Sequence, residues 1–299
     1  MLAGKYNNEK IGSHGFMEKE ELFVSETIHC DSFEIFEQKI NEINVKVAIE
    51  WKKEPMHGFH PILYRGQSDS SLLLETTLDR ISNENISVRR YYEDVSSCQK
   101  EIATLIGKEW KIGKTDFKNY LFFSGGKGDM PMYEMMVYMR HHSFPSPLLD
   151  WTRSPYIAAF FAFNDLYKMK RCDNASIFLY LENGMTACKT HWGGETFIHS
   201  LGPNVVAHKR HFLQQSEYTI CLREAKGEPD NFYYAKHEDV LSRNDPSSDI
   251  VKKFTIPFTE QNKILKRLNT MNVNAHSLYG SDEGVFHNLA VKAFISKNL

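Results

Sequence analysis

The sequence lacks three features that would place a protein in a special class. Its longest strongly apolar run, residues 157–163, is far shorter than the roughly 20 residues of a transmembrane helix. Its N-terminal segment contains no apolar stretch of signal-peptide length. The 5 cysteines are scattered and odd in number, and no two have the spacing of a zinc or redox motif. We therefore predict a cytoplasmic protein with free thiols and no membrane partner.

An excess of charge of one sign is also absent. The 36 Lys and Arg residues stand against 38 Asp and Glu, which gives a net charge of −2 with the 13 His neutral. Bulk electrostatics therefore does not indicate nucleic-acid binding, although a local basic patch is compatible with this balance. Apolar residues at 41% and charged residues at 25% of the 299 positions are ordinary values for a folded globular protein.

The order of periodic segments predicts one α+β domain over residues 26–299, after a poorly ordered polar leader at 1–25. Asp31 and Glu34 have capping-box spacing at the start of a first helix. Ser154 followed by Pro155 marks the start of an apolar core helix. Further helices are predicted within 86–123, at 133–139 and from Thr259, where Ile264, Leu265, Leu268 and Met271 share one face; strands at 60–66, 175–182 and 217–222; a break at 124–131; loops at 183–210; and a polar excursion at 223–257.

Arg65 lies at the end of the strand predicted at 60–66 and precedes Gly66 and Gln67. A guanidinium is a rigid fork of donors suited to phosphate, and glycine permits close approach of a ligand. The pattern predicts an anion contact, with a structural ion pair or a solvated strand end as the alternative. We expect Arg65 at the floor of the largest cleft, within about 8 Å of Thr152, so that the two share one ligand.

The segment LLDWT places Asp150, Trp151 and Thr152 directly before a helix N-terminus. The free backbone donors of a helix N-terminus favour negative groups, so Thr152 is a candidate ligand contact. In the alternative, Asp150 and Ser154 are capping residues and Trp151 belongs to the core.

Histidines and a carboxylate complete the candidate set. His141 and its neighbour His142 offer a base or a metal ligand, but no cysteine or His-Glu-x-x-His pattern accompanies them, so we expect no metal site. Glu217 begins the strand predicted at 217–222, at an edge. Gln215 lies two residues earlier and shares a face with Glu217 if the strand extends that far, so it is the alternative candidate for the same position in the site.

Several stretches together resemble the FRG domain family. They are YRGQ at 64–67 with LLLETTLDR at 72–80, HHSFPSPLLDWTRSPYIAAFFAF at 141–163, RHFLQQSEYTI at 210–220 and KILKRLNTMNVNAHSLYGSDEGV at 263–285. The resemblance spans about residues 31–295. Where the family usually has Gly, this chain has Ser143 and Ser216, and Ser146-Pro147 replaces the family's Thr-Arg. The change at Pro147 removes one cation that the family pattern places at the site.

The same order of elements is similar, more distantly, to that of ADP-ribosyltransferases of the Arg-Ser-Glu class. This resemblance implies a mixed or antiparallel β core flanked by helices, with NAD as the substrate. It implies that Arg65 holds the NAD pyrophosphate, that Thr152 positions the third residue or the ribose, and that Glu217 stabilises the cationic ribosyl group. The implied ligand contacts are Tyr64, Arg65, Gly66, Gln67, His141, Asp150, Trp151 and Gln215, with Trp151 and Tyr64 as rings that stack on the nicotinamide or close the cleft.

Two hypotheses of function follow. In the first, the protein is an NAD-dependent ADP-ribosyltransferase or glycohydrolase, a toxin or phage-defence effector whose acceptor is a protein, a nucleic acid or water, with an antitoxin or regulatory protein as a possible partner. In the second, the protein has the same fold but catalyses no reaction, and phosphate of a nucleotide or nucleic acid is bound by Arg65, Lys209, Arg210 and the KILKR stretch at 263–267. Release of nicotinamide from NAD separates the two.

Overall fold

The computed structural model describes residues 25–53, 61–82, 85–110, 130, 132–166, 173–182, 196–225, 232–241 and 249–295. The strands are β1 (Glu26–His29), β2 (Leu63–Gln67), β3 (Leu149–Thr152), β4 (Asn174–Leu181), β5 (Thr196–Ser200), β6 (Ser216–Glu224), β7 (Phe232–Tyr234) and β8 (Ile250–Pro257). The α-helices are α1 (Phe33–Lys53), α2 (Val88–Ile106), α3 (Tyr133–His141), α4 (Pro155–Phe163), α5 (Arg210–Leu213), α6 (Glu238–Leu241), α7 (Gln261–Thr270), α8 (Ala275–Tyr279) and α9 (Asp282–Ala290). A 3₁₀ turn (Phe258–Glu260) precedes α7, and a π-helical turn (Val291–Ile295) follows α9.

The eight described strands form one mixed sheet in the order β1-β8-β4-β2-β3-β6-β5, with β7 beside β6. β1 runs parallel to β8, and the other neighbours are antiparallel. β4 and β8 align from Asn174 to Leu181, whereas β2 and β3 have a single registered pair, Tyr64 with Thr152. The ladder is therefore shortest at the centre of the sheet. This architecture confirms the predicted α+β domain.

Helix α4 is the core helix that the sequence predicts. The Ser154 hydroxyl accepts a hydrogen bond from the Ile157 amide at 3.3 Å, and Pro155 occupies the first helical turn. From Ile157 to Phe163 every side chain is buried except that of Phe161, which is half-buried. The helix packs against α1, α7 and one face of the sheet in a shared hydrophobic cluster.

Two local predictions, the capping box at Asp31 and the loop at 183–210, are wrong. Helix α1 begins at Phe33, and the Ser32 hydroxyl accepts from the Ile35 amide, so the hydrogen bond comes from Ser32 rather than from a capping box at Asp31. The segment 183–210 is not all loop, because it contains β5 and the start of α5.

The predicted polar excursion at 223–257 is also incorrect. It contains β7, α6 and β8, and β8 lies between β1 and β4 in the sheet. Lys252 on β8 is 3% exposed and pairs with Glu26, which shows how a polar sequence is accommodated in a central strand.

The C-terminal region continues beyond the predicted last helix. Ile264, Leu265 and Leu268 are buried on α7 as expected, but Met271 lies after the helix and is exposed, and α8 and α9 follow. All but the last residue of the leader predicted at 1–25, and nearly all of the break predicted at 124–131, lie outside the described residues. Within the described part of the chain, no helix has the length and apolar character needed to cross a bilayer.

Candidate functional site

A cleft of about 560 Å³ opens where β2 and β3 separate. Its walls come from β2, β3, the start of β6, the end of α3 and the segment that follows β2. The lining residues are Tyr64, Arg65, Gly66, Gln67, Ser68, Leu72, Thr77, Arg80, Arg140, His141, Ser143, Asp150, Trp151, Thr152, Phe161, Gln214, Ser216 and Tyr218. Its volume lies within the usual range for small-molecule sites.

Two arginines converge on β3 in this cleft. Nε and Nη2 of Arg140 donate to the two carboxylate oxygens of Asp150, and Nη1 donates to the Thr77 hydroxyl at 3.2 Å. Nη1 of Arg65 donates to the backbone carbonyl of Asp150 at 2.7 Å and lies 3.9 Å from its Oδ2. The Arg65 guanidinium therefore bridges β2 and β3 beyond their single registered pair. This geometry holds both guanidinium groups in fixed positions.

The charges in the cleft do not cancel. Burial alone would raise the pKa of Asp150, but the adjacent Arg140, assisted by Arg65, lowers it below its usual value. Burial lowers the pKa of Arg65 to about 10, an effect that Asp150 opposes and Arg140 and Arg80 reinforce. Both groups are therefore charged at neutral pH. Three arginines and one aspartate among the lining residues leave an excess of two positive charges.

His141 contributes no charge at neutral pH. Burial lowers its pKa to about 4, with Arg140 and the neighbouring histidines adding to the decrease and Asp150 opposing it. Its Nε2 lies 3.1 Å from the Tyr218 hydroxyl. A neutral imidazole beside a phenol can donate or accept a hydrogen bond, and it leaves the positive character of the cleft to the arginines.

The Thr152 hydroxyl has protein partners on both sides. It donates to the Gln214 carbonyl at 2.7 Å and accepts from the Ser154 amide at 3.2 Å. Thr152 therefore ties β3 to the turn before β6 and to the N-terminus of α4. This is a positioning role at the wall of the cleft.

The two rings proposed to stack on a ligand are buried instead. Tyr64 is 2% exposed and donates to the Asn44 side chain at 3.1 Å. Trp151 is 3% exposed, donates from Nε1 to the Thr219 hydroxyl at 2.8 Å, and packs on Tyr180. The alternative in which Trp151 belongs to the core is the one that the structure shows. The half-buried Phe161 is the more accessible aromatic ring of the cleft.

Gly66 brings β2 against α4. A Cβ at this position would lie 1.9 Å from the Ala158 carbonyl oxygen and 2.7 Å from the Ala162 nitrogen. Both are backbone atoms, so no side chain fits without moving the helix. The glycine after Arg65 thus serves helix–sheet packing as well as the floor of the cleft.

Glu217 and Gln215 do not line the cleft. Ser216 and Tyr218 line it, so strand alternation directs Glu217 between them to the opposite face. Glu217 is 1% exposed in an interior strand, and its carboxylate is bound by Arg153. Burial raises its pKa, and Arg153 opposes the increase. Gln215 is exposed before the strand with a φ of 48°, and its predecessor Gln214 reaches the cleft instead.

Eight of the ten residues that the sequence predicts for the site line this cleft. Other lining residues were not predicted. The eight are Tyr64, Arg65, Gly66, Gln67, His141, Asp150, Trp151 and Thr152. The missed residues are Ser68, Leu72, Thr77, Arg80, Arg140, Ser143, Phe161, Gln214, Ser216 and Tyr218. Arg140 adjoins His141 at the end of a largely buried helix, and this unusual place for an arginine is the signal that identifies it.

Comparison with known protein families gives a match over part of the chain. Residues 60–171 match the family model of the FRG domain, a segment that contains β2, α3, β3 and α4 and hence both arginines that contact Asp150. The resemblances at 210–220 and 263–285 lie outside the matched segment. No curated protein and no solved structure matches the chain. The chain therefore contains an FRG domain segment, which the family model matches at residues 60–171.

Proposed function

We propose that the cleft binds a nucleotide through its phosphates and that NAD is this nucleotide. The observation that carries the proposal is the charge of the lining: Arg65, Arg80 and Arg140 line the cleft together with a single aspartate, Asp150, which pairs with Arg140. Guanidinium groups in a partly desolvated cleft bind phosphate oxygens strongly. NAD is the first candidate because Arg65, Thr152 and α4 surround one cleft, in the order that the resemblance to Arg-Ser-Glu transferases implies.

Equilibrium titration with NAD, ADP-ribose and nicotinamide tests this function. NAD and ADP-ribose are expected to bind, and nicotinamide to bind far more weakly because it has no phosphate. Arg80→Ala is the most informative variant, since Arg80 is exposed at the cleft and its truncation leaves the fold intact. It should weaken NAD binding about 3- to 10-fold, the effect of one partly exposed ionic contact.

Arg89→Ala is the matched control, because Arg89 is an exposed arginine on α2 whose side chain is 86% accessible and does not line the cleft. Its affinity for NAD should equal that of the wild type. Equal effects of the two substitutions, or no binding of either phosphate-bearing ligand by the wild type, would refute the proposal.

Cleavage of the nicotinamide–ribose bond is the second candidate function. It is favoured by the position of Arg65 and Thr152 at the same cleft, and it would transfer ADP-ribose to a protein, a nucleic acid or water, with an antitoxin as a possible regulator. Because Glu217 lies on the other face, we propose Asp150 as the carboxylate that would stabilise the ribosyl cation. Nicotinamide release should then fall about 10²- to 10³-fold in Asp150→Asn and persist in Glu217→Gln. NAD binding without release by the wild type favours the module that binds without turnover.

A further inference from the structure

Gln67 has one polar atom that the fold does not use. Gln67 is 7% exposed and is one of the residues that line the cleft, and its Nε2 donates to the Leu73 carbonyl at 3.1 Å. This bond fixes the amide, which leaves Oε1 as a buried acceptor with no hydrogen-bond partner among the described residues.

The nearest registered neighbour does not satisfy this acceptor. Ser176 on β4 is the partner of Gln67 across the ladder, and its own buried hydroxyl also has no hydrogen-bond partner in the described part of the chain. Arg65 lies two residues before Gln67, and hence on the same face of β2, and its buried Nε is an unused donor. An unused acceptor and an unused donor thus lie along one strand at the floor of the cleft.

Unpaired buried polar atoms are rare in folded proteins, and each requires an explanation. An acceptor that lacks a partner carries the full cost of its desolvation, so a ligand that supplies the missing donor gains the corresponding affinity. The direct consequence is discrimination, because an analogue without the donor leaves the acceptor unpaired.

We infer that Gln67 determines specificity by accepting a hydrogen bond from an N–H group of the ligand. This inference rests on the proposed function and names what the cleft recognises beyond the phosphates. The chemical feature recognised is an N–H donor of the ligand, which would satisfy Oε1 of Gln67. NAD offers such a donor at two places, the nicotinamide carboxamide and the amine of its adenine.

Two analogues of NAD distinguish these sources. In 3-acetylpyridine adenine dinucleotide a methyl group replaces the carboxamide nitrogen, and in nicotinamide hypoxanthine dinucleotide a carbonyl replaces the adenine amine. The wild type should bind one of them about 5- to 150-fold more weakly than NAD, the range for a buried group left unpaired. The weaker analogue identifies which end of the ligand reaches Gln67.

Substitution of Gln67 should remove this discrimination. In Gln67→Met, NAD and the weaker analogue should bind within about twofold of each other, whereas Gln38→Met, which changes an exposed glutamine on α1, should keep the wild-type ratio. If NAD and both analogues bind the wild type equally, the inference about Gln67 is wrong while nucleotide binding stands. If the wild type binds none of the three, both proposals are wrong. The wild-type comparison decides even if Gln67→Met does not fold.

Discussion

Glu217 and Arg153 form an ion pair whose two partners differ greatly in burial. The Glu217 side chain is 2% exposed, whereas that of Arg153 is 45% exposed. Removal of the arginine leaves a carboxylate without compensation in the protein interior, whereas removal of the carboxylate leaves a guanidinium that water can reach. The two substitutions should therefore have unequal effects on stability.

We expect Arg153→Met to lower the free energy of unfolding by up to about 3 kcal/mol, the lower end of the range for broken buried pairs. Glu217→Gln should cost clearly less. Because burial raises the pKa of Glu217, the folded variant without Arg153 gains a proton as the pH falls, so its deficit should shrink in mild acid. Urea unfolding of both variants measures this. A larger loss in Glu217→Gln than in Arg153→Met would contradict the assignment.

His237 is a fully buried histidine that should make the stability of the protein depend on pH. Its Nε2 lies 2.8 Å from the Thr219 hydroxyl, which also receives the indole N–H of Trp151 at 2.8 Å. An indole nitrogen only donates, so the hydroxyl proton of Thr219 is free to point at His237, whose Nε2 then accepts. Burial, with a smaller contribution from Arg65, lowers the pKa of His237 from 6.5 to about 3.

The depressed pKa fixes the direction of a pH effect. Below pH 6.5 the unfolded chain binds a proton at this imidazole and the folded chain does not, so stability is lost from about pH 6.5 down to about 3. His237→Gln removes this titratable group. The free energy of unfolding of the variant should therefore fall less steeply with acidification than that of the wild type, and the two slopes should differ by up to about 1.4 kcal/mol per pH unit. Urea unfolding across this range tests it, with His276→Gln, an exposed position on α8, as the control. Identical slopes for wild type and His237→Gln would count against the prediction.

At the scale of elements, the contact between β2 and α4 determines the shape of the cleft floor. Gly66 permits this contact, because a Cβ there would overlap backbone atoms at Ala158 and Ala162. Backbone atoms of a capped helix do not rotate away as a side chain does, so the two elements would have to separate.

Gly66→Ala should therefore destabilise the protein by about 3 kcal/mol or more, at or above the upper end of the usual cost of overpacking. Separation of β2 from α4 should also displace Arg65 and weaken NAD binding. Thermal unfolding and titration report the two effects. Ser68→Ala, one residue beyond the strand, should change stability by less than about 0.5 kcal/mol. If Gly66→Ala is as stable as the wild type, α4 can move away from β2 at little cost and the prediction is wrong.

At the scale of the whole molecule, the local charge of the cleft differs in sign from the charge of the chain. The net charge is −2, yet the cleft has three arginines against one aspartate. Salt screens the exposed part of such a field over about 10 Å at 0.1 M. Attraction of an anionic nucleotide is thus a local effect that ionic strength reduces.

The dissociation constant of NAD should rise severalfold between about 0.05 M and 0.5 M salt, despite the negative charge of the chain. Arg80→Ala should show a shallower dependence, because it removes the most exposed of the three arginines. Titrations at several salt concentrations measure both slopes. Affinity that is independent of salt would indicate that the phosphates are not the main contact.

The sequence alone determined the features that neighbouring residues control. Ser154 and Pro155 predicted the start of α4, and β-prone runs predicted β2, β4 and β6 to within two or three residues. Capping, fixed proline φ and apolar periodicity act over a few residues, so they can be read from the chain. Arg65 and Asp150 could also be identified locally, because each lies in a short motif at the end of a predicted element.

The tertiary structure alone decided which of these residues share a cleft. The face on which Glu217 lies depends on the register of β6 against β3, and the clamp of Arg140 on Asp150 depends on how α3 meets that strand. The polar character of β8 was misleading, because its buried Lys252 pairs with Glu26, more than two hundred residues away in the sequence. Such pairings derive their free energy from desolvation and from partners distant in sequence, and a local pattern contains neither.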